Sequence, residues 1–130
     1  MYVPEHFSVK EAAVLYDWIE RWSFGTLITS HRGRMEANQI PFLVDRERGD
    51  LLGHVARSNK QWQTLLNAEH LLVVFNGPHG YVSPAWYSQP DGVPTWNYLT
   101  VQVQGKAELV KTENEAIDIL RRLTNTNEAL

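Results

Sequence analysis

Apolar positions fall at helical spacing near the two ends of the chain, and at alternating or continuous spacing in between. Leu15, Trp18, Ile19 and Trp22 share one face of a helix predicted to run to about Trp22. Ser8-Val9-Lys10-Glu11 precedes it and matches the S-x-x-E capping box, in which two side chains satisfy backbone donors of the first turn. Ile117, Leu120 and Leu123 form the stripe of a last helix, opened by a further box at Thr112-Glu113-Asn114-Glu115. Residues Met1 to Phe7 read as an extended lead-in, because Pro4 disfavours helix.

The middle of the chain reads as strands. Thr26 to Ser30 and Met35 to Val44 flank Arg32-Gly33, a hairpin turn. Pro41 has no N–H to give a ladder, which predicts a sheet edge or a bulge there. A charged turn, Asp45 to Asp50, leads to a strand over Leu51 to Ala56, a polar turn, and a short helix over Gln61 to Asn67. Leu71 to Phe75 is apolar and too short for an ordinary helix, so it reads as a buried strand. Gly77-Pro78-His79-Gly80 is expected to turn the chain into Tyr81-Val82-Ser83, and Pro84 to Pro94 to form an irregular loop. Thr95 to Gln104 alternates most clearly. Asn97, Leu99, Val101 and Val103 make its core face; Trp96, Tyr98, Thr100, Gln102 and Gln104 make the other. That second face is polar and aromatic without charge, as suits a partner subunit or a planar ligand. Gly105 marks a turn or bulge before a last strand at Ala107 to Val110. This order predicts a mainly β protein of the α+β class, an antiparallel sheet closed into a small barrel with peripheral helices. No repeat or second domain is visible, so residues 1–130 read as one domain.

Composition narrows the chemistry. A net charge of −3 argues against a broad basic surface for nucleic acid, though not against a local basic patch. Without cysteine there is no disulfide, thiolate metal ligand or cysteine nucleophile. The N-terminus has no secretory pattern and no apolar run reaches bilayer length, so a cytoplasmic protein with no membrane partner is expected. Five tryptophans exceed what so small a core requires, which places some at a ligand pocket or a subunit interface. His6, His31, His54, His70 and His79 are scattered, with none paired at i+3 or i+4, so no metal site is expected. No nucleophile-elbow, Walker or G-x-G-x-x-G pattern occurs, and Glu36 reads as a surface carboxylate more readily than a general base. The chain offers no self-contained catalytic set.

One stretch remains, Leu52-Gly53-His54-Val55-Ala56-Arg57-Ser58-Asn59-Lys60-Gln61-Trp62. It reads as a strand, a polar turn and a helix start. Arg57, Ser58, Asn59 and Lys60 gather two cations and two small hydrogen-bonding side chains at the turn, an arrangement that suits a phosphate. Ser58 with Gln61 also fits a capping box, which needs no ligand. Aromatic Trp96-Asn97-Tyr98 after Pro94 is the other feature. A ligand with a phosphate and a flat ring, such as flavin mononucleotide (FMN), would engage both.

Four strings taken in order resemble the PaiB-like family of FMN-binding negative transcriptional regulators. They are Met1-Tyr2-Val3-Pro4-Glu5-His6-Phe7, Leu52 to Asn59, Gly77-Pro78-His79-Gly80-Tyr81-Val82-Ser83-Pro84-Ala85-Trp86-Tyr87, and Val93-Pro94-Thr95-Trp96-Asn97-Tyr98. The resemblance implies a flavin-binding split β-barrel, similar to pyridoxamine-phosphate oxidase-like proteins, built as a homodimer with FMN at the interface. It implies that Arg57, Ser58, Asn59 and Lys60 hold the phosphate, with Trp62 beside them. Thr29 would face the ring or ribityl chain, and Trp96 and Asn97 would approach the flavin from the partner subunit. Family members usually continue through a Lys-rich K-x-K-x-S-Q-N stretch, which a chain ending at Leu130 is expected to lack. A regulator contacting DNA is one function in view, although neither a helix-turn-helix pattern nor the charge supports DNA. An FMN-dependent oxidoreductase on a small molecule and a haem-binding protein using His54 or His79 are the others.

Overall fold

The computed structural model describes residues 1–68, 70–88 and 92–129. After a 3-10 turn at Glu5–Phe7 come α1 (Ala12–Arg21), β1 (Phe24–His31), β2 (Arg34–Asp45), β3 (Asp50–Gly53), α2 (Gln61–Asn67) and β4 (Leu71–Val82). A second 3-10 turn, Pro84–Trp86, precedes β5 (Thr95–Gly105) and α3 (Glu113–Glu128). The strands form one antiparallel sheet in the order β3-β2-β1-β4-β5, which with three helices is the α+β architecture expected.

The sheet begins as a tight hairpin. His31 pairs with Arg34, and the two residues between them, Arg32 and Gly33, have φ of 50° and 75°. Positive φ at both central positions matches the twist of the flanking strands, which is why Gly33 stands there. β2 is long enough to serve two partners. It pairs with β1 through Pro41 and with β3 from Phe42 to Asp45. Pro41 thus lies at a local edge of the sheet, as expected: it is the residue where β2 changes partner, its other side faces no strand, and its missing N–H costs no bond. For the same reason β3 stops at Gly53 instead of reaching Ala56: the next residue of β2 is the proline. The chain then crosses under the hairpin through α2, which packs on β1, and enters the sheet again as β4.

Two other expectations are corrected. Gly77-Pro78-His79-Gly80 is not a turn but part of β4, which runs on to Val82; the register shifts between Asn76 and His79. A bulge is where a strand can hold a proline, so the same dipeptide that signals a turn fits here. Ala107 to Val110 form no strand, because Gly105 already pairs with Leu71, the first residue of β4, and no partner is left beyond it.

Ile19, Leu27, Ile40, Val44, Val73, Phe75 and Val101 make the core, with Phe75 only 1% exposed. Phe42 meets Phe75 edge-on, ring centroids 5.6 Å apart at 76°. Gly25 lets Phe75 lie flat on β1, since a Cβ there would stand 2.7 Å from its Cε1. α1 is tied to the β2–β3 turn by Arg46. Its guanidinium bonds Asp17 and, at 2.9 Å from Nε, Glu20, and it lies 5.8 Å over the Tyr16 ring. The bonds to Glu20 and then Asp17 raise the Arg46 pKa above its already high ordinary value, so the guanidinium stays charged. The box expected at Ser8 does not form: Ser8 closes the Glu5–Phe7 turn through its N–H to Glu5 O (3.1 Å), and α1 starts later, behind Glu11. The box at Thr112 does form. Glu115 N–H bonds Thr112 Oγ1 at 3.2 Å, and Glu115 Oε2 accepts from the Thr112 and Lys111 N–H groups, both at 3.1 Å.

Gly25→Ala is expected to lower stability by about 1–3 kcal/mol through overpacking against Phe75, read as a fall in the urea midpoint at constant slope. The backbone and side-chain bonds from Thr112, then the Lys111 N–H, hold the Glu115 carboxyl below its ordinary pKa. A depressed folded pKa contributes stability above the ordinary carboxylate value that is lost as pH falls through the lowered one. Protection of the Lys111 and Thr112 amides, read as exchange relative to the intrinsic rate at each pH, should therefore fall on acidification, and Glu115→Gln should abolish most of that pH dependence.

Candidate functional site

Beyond Gly53 the chain runs along the hairpin and closes a turn just before α2. Asn59 N–H donates to Ala56 O at 2.8 Å, and Gln63 N–H to Lys60 O at 3.0 Å. The expected Ser58–Gln61 capping box is absent. Asn59 takes its place, its Oδ1 accepting from Gln61 N–H at 3.0 Å, so the Ser58 hydroxyl is not spent on the helix. Trp62 turns back over the turn and donates its indole N–H to Arg57 O at 3.1 Å. Arg57, Ser58 and Lys60 are exposed, and no carboxylate of the described residues lies within ion-pair distance of either cation. The turn therefore presents two unneutralised cations, a hydroxyl and the Asn59 Nδ2 amide donor. A set made of donors fits the acceptor oxygens of a phosphate dianion. Since α2 has only seven residues, the side-chain charges and not the helix end carry the attraction.

Beneath this turn lies a residue that sequence reasoning took for a cap alone. Gln61 is 0% exposed. The two hydrogens of its Nε2 are shared among Leu27 O (3.1 Å), Thr29 Oγ1 (3.2 Å) and, at the longest distance, Glu36 O (3.4 Å), and its Oε1 accepts from Asn38 Nδ2 (2.9 Å). Thr29, expected at the flavin, is 1% exposed and meets Gln61 instead of the surface. Glu36 is half-buried and accepts from Thr64 Oγ1 at 3.2 Å, a second tie between α2 and β2. A polar residue at the start of a helix carries no sequence signal of burial, which is why Gln61 was missed.

The aromatic feature stands elsewhere. Trp96 pairs with Tyr81 and Asn97 with Gly80 at the outer end of β4 and β5. Trp96 is 55% and Tyr98 63% exposed; the Trp96 ring stacks on His79 at 5.9 Å and 23°, and meets Tyr81 at 6.0 Å. Beside it, where β4 bulges, an open cleft of about 570 Å³ is lined by Arg21, Trp22, Asn76, Gly77, Pro78 and His79. Arg21 lies over the Trp22 ring at 5.4 Å, and Gly77 leaves Trp22 and Leu99 room to approach the strand. Level with Ile28, next to Thr29, β4 is at Leu72; the Trp96–Asn97 end begins eight residues further, at Gly80, roughly 25 Å of strand. The structure thus does not bring Arg57–Lys60 together with Trp96 and Asn97 within one chain.

The whole chain, residues 1–130, matches the family model described as "Putative FMN-binding domain". The chain belongs to this family. It is 36% identical over 121 residues to the protease synthase and sporulation protein PAI 2 of Bacillus subtilis, covering 92% of this chain and 58% of that protein. The chain thus spans little more than half of that relative's length. An uncharacterised protein of Saccharomyces cerevisiae is 30% identical over 154 residues, with 98% of this chain and 90% of that one covered. The FAD-binding protein of Mycobacterium smegmatis has a similar fold at 17% identity, with a TM-score of 0.60 over 88% of this chain and 76% of that one. These matches agree with the PaiB-like resemblance and with FMN as its cofactor. No helix among the described residues is long and apolar enough to cross a membrane.

Proposed function

We propose that the protein binds FMN as a homodimer, the phosphate held by one copy and the flavin ring approached by the other. The observation that carries this reading is the turn at Arg57, Ser58, Asn59 and Lys60, half-buried at Asn59 and exposed at the other three, whose cations have no carboxylate partner among the described residues. Arg57 and Lys60 neutralise the phosphate, Ser58 and the Asn59 amide donate to its oxygens, and Trp62 holds the Arg57 carbonyl. Trp96 and Asn97 lie too far along β4 to meet the same FMN from the same chain, so the second copy supplies them. The exposed face of Trp96, Tyr98, Gln102 and Gln104, aromatic and uncharged, suits such an interface. Bound FMN supplies reversible redox chemistry; the residues described here bind and orient it.

The likeness to PAI 2 supports a regulatory protein of that kind, with FMN occupancy or redox state as the signal it responds to. DNA as the direct partner draws no support from a net charge of −3. A second reading, an FMN-dependent oxidoreductase acting on a small molecule, is favoured by the cleft at Arg21, Trp22 and His79, which touches the aromatic set through His79.

In titrations monitored by flavin fluorescence, Arg57→Ala with Lys60→Ala should weaken FMN about a hundredfold, the loss of two charge-assisted contacts, and riboflavin less than about twofold. Equal losses for both ligands would remove the phosphate from this turn. Tyr98→Asp should give monomer in sedimentation and lose FMN while leaving the turn intact; an unchanged dimer would place the interface on another face.

A further inference from the structure

The carboxamide of Gln61 is shut away from any ligand, yet its backbone follows directly on Lys60. Its four side-chain bonds are not scattered. Leu27 pairs with Asn38 and Thr29 with Glu36, so the amide is plugged against two alternate rungs of the β1–β2 hairpin, on either side of the Ile28–Ala37 pair, and reaches all four residues. An apolar side chain of the same length would fill this space. Only a group with both donors and an acceptor fixes depth and rotation at once, because each misplacement leaves a buried polar atom unpaired. Its own N–H then anchors Asn59, whose N–H closes the turn on Ala56.

We propose that Gln61 is the positioning residue of the cationic turn, locking the start of α2 into the β1–β2 hairpin so that Arg57, Ser58 and Lys60 are set for a phosphate before FMN arrives. This rests on the reading of that turn as the phosphate site. Thr29 belongs to the lock as an acceptor beneath the turn and acts on FMN through Gln61. The free-energy gain is in preorganisation: a turn already ordered loses less freedom when it closes on its ligand. The riboflavin part of FMN lies beyond the turn, so the lock acts on the phosphate alone.

The test compares Gln61→Met, nearly isosteric and without donors or acceptor, with the wild-type protein in two measurements. In the ligand-free protein, amide exchange at 57–61 should quicken while that of β1 and β4 stays unchanged. In titration, FMN should weaken about tenfold and riboflavin less than about twofold, so the preference for FMN shrinks. Asn38→Ala removes one bond of the four at a half-buried position and serves if Gln61→Met does not fold. It should shift the FMN preference in the same direction by about threefold. Unchanged exchange at the turn, or equal losses of FMN and riboflavin, would overturn the lock. The Arg57→Ala, Lys60→Ala protein separates the two ideas. If it too keeps the full FMN preference, the phosphate reading has failed; if it loses that preference while Gln61→Met retains it, the failure is that of Gln61.

Discussion

A carboxamide taken wholly out of water must find partners for its N–H donors and its carbonyl, or cost the fold about 1–3 kcal/mol for each group left alone. Gln61 meets that demand by bonding both strands of the first hairpin and the turn before it. The hairpin is itself held by the Arg32-Gly33 turn and by Leu27 and Ile40 in the core, so the rigidity of the sheet is passed to an exposed loop. The cationic side chains are therefore carried by a segment that has little regular structure but is bonded to the sheet through Gln61. Loops used for binding gain from such support, because they are otherwise the most mobile parts of a fold.

The second constraint is chain connectivity. β3 leaves the sheet at the far side of the hairpin, and α2 brings the chain back beside β1, so the cationic turn lies next to the β1–β2 hairpin. β4 and β5 extend well past β1 in the opposite direction, with no further strand of the described residues alongside their outer halves. Their exposed aromatic rings are thus held out from the body of the molecule. Within one chain the cationic turn and these rings stand apart.

Much of this was legible in the sequence where a local signal had one physical meaning. Arg32-Gly33 between alternating runs is a hairpin, Thr112 with Glu115 caps a helix, and α2 spans the residues that the pattern marked. Signals with two meanings misled. Gly77-Pro78 serves a turn or a bulge, and the choice depends on a partner strand some twenty residues away, which local sequence does not contain. Ser8 and Ser58 each head an S-x-x-E/Q string, but the neighbouring backbone offered Ser8 a different bond and Asn59 was better placed than Ser58. The type of residue at the candidate site was readable; which of them face water and which are buried was a matter of tertiary packing.

The bulge in β4 separates two things that strands usually keep together. Asn76 pairs with Thr100 and His79 with Tyr98, so β4 spends three steps where β5 spends two. A chain one residue shorter there would keep every pair on both sides and lose only the bend. The segment works as an elbow: the inner ladder fixes the core, and the extra residue sets the heading of the outer one. The aim of the aromatic tip can thus be retuned by chain length alone, with every side chain of core and tip left as it is.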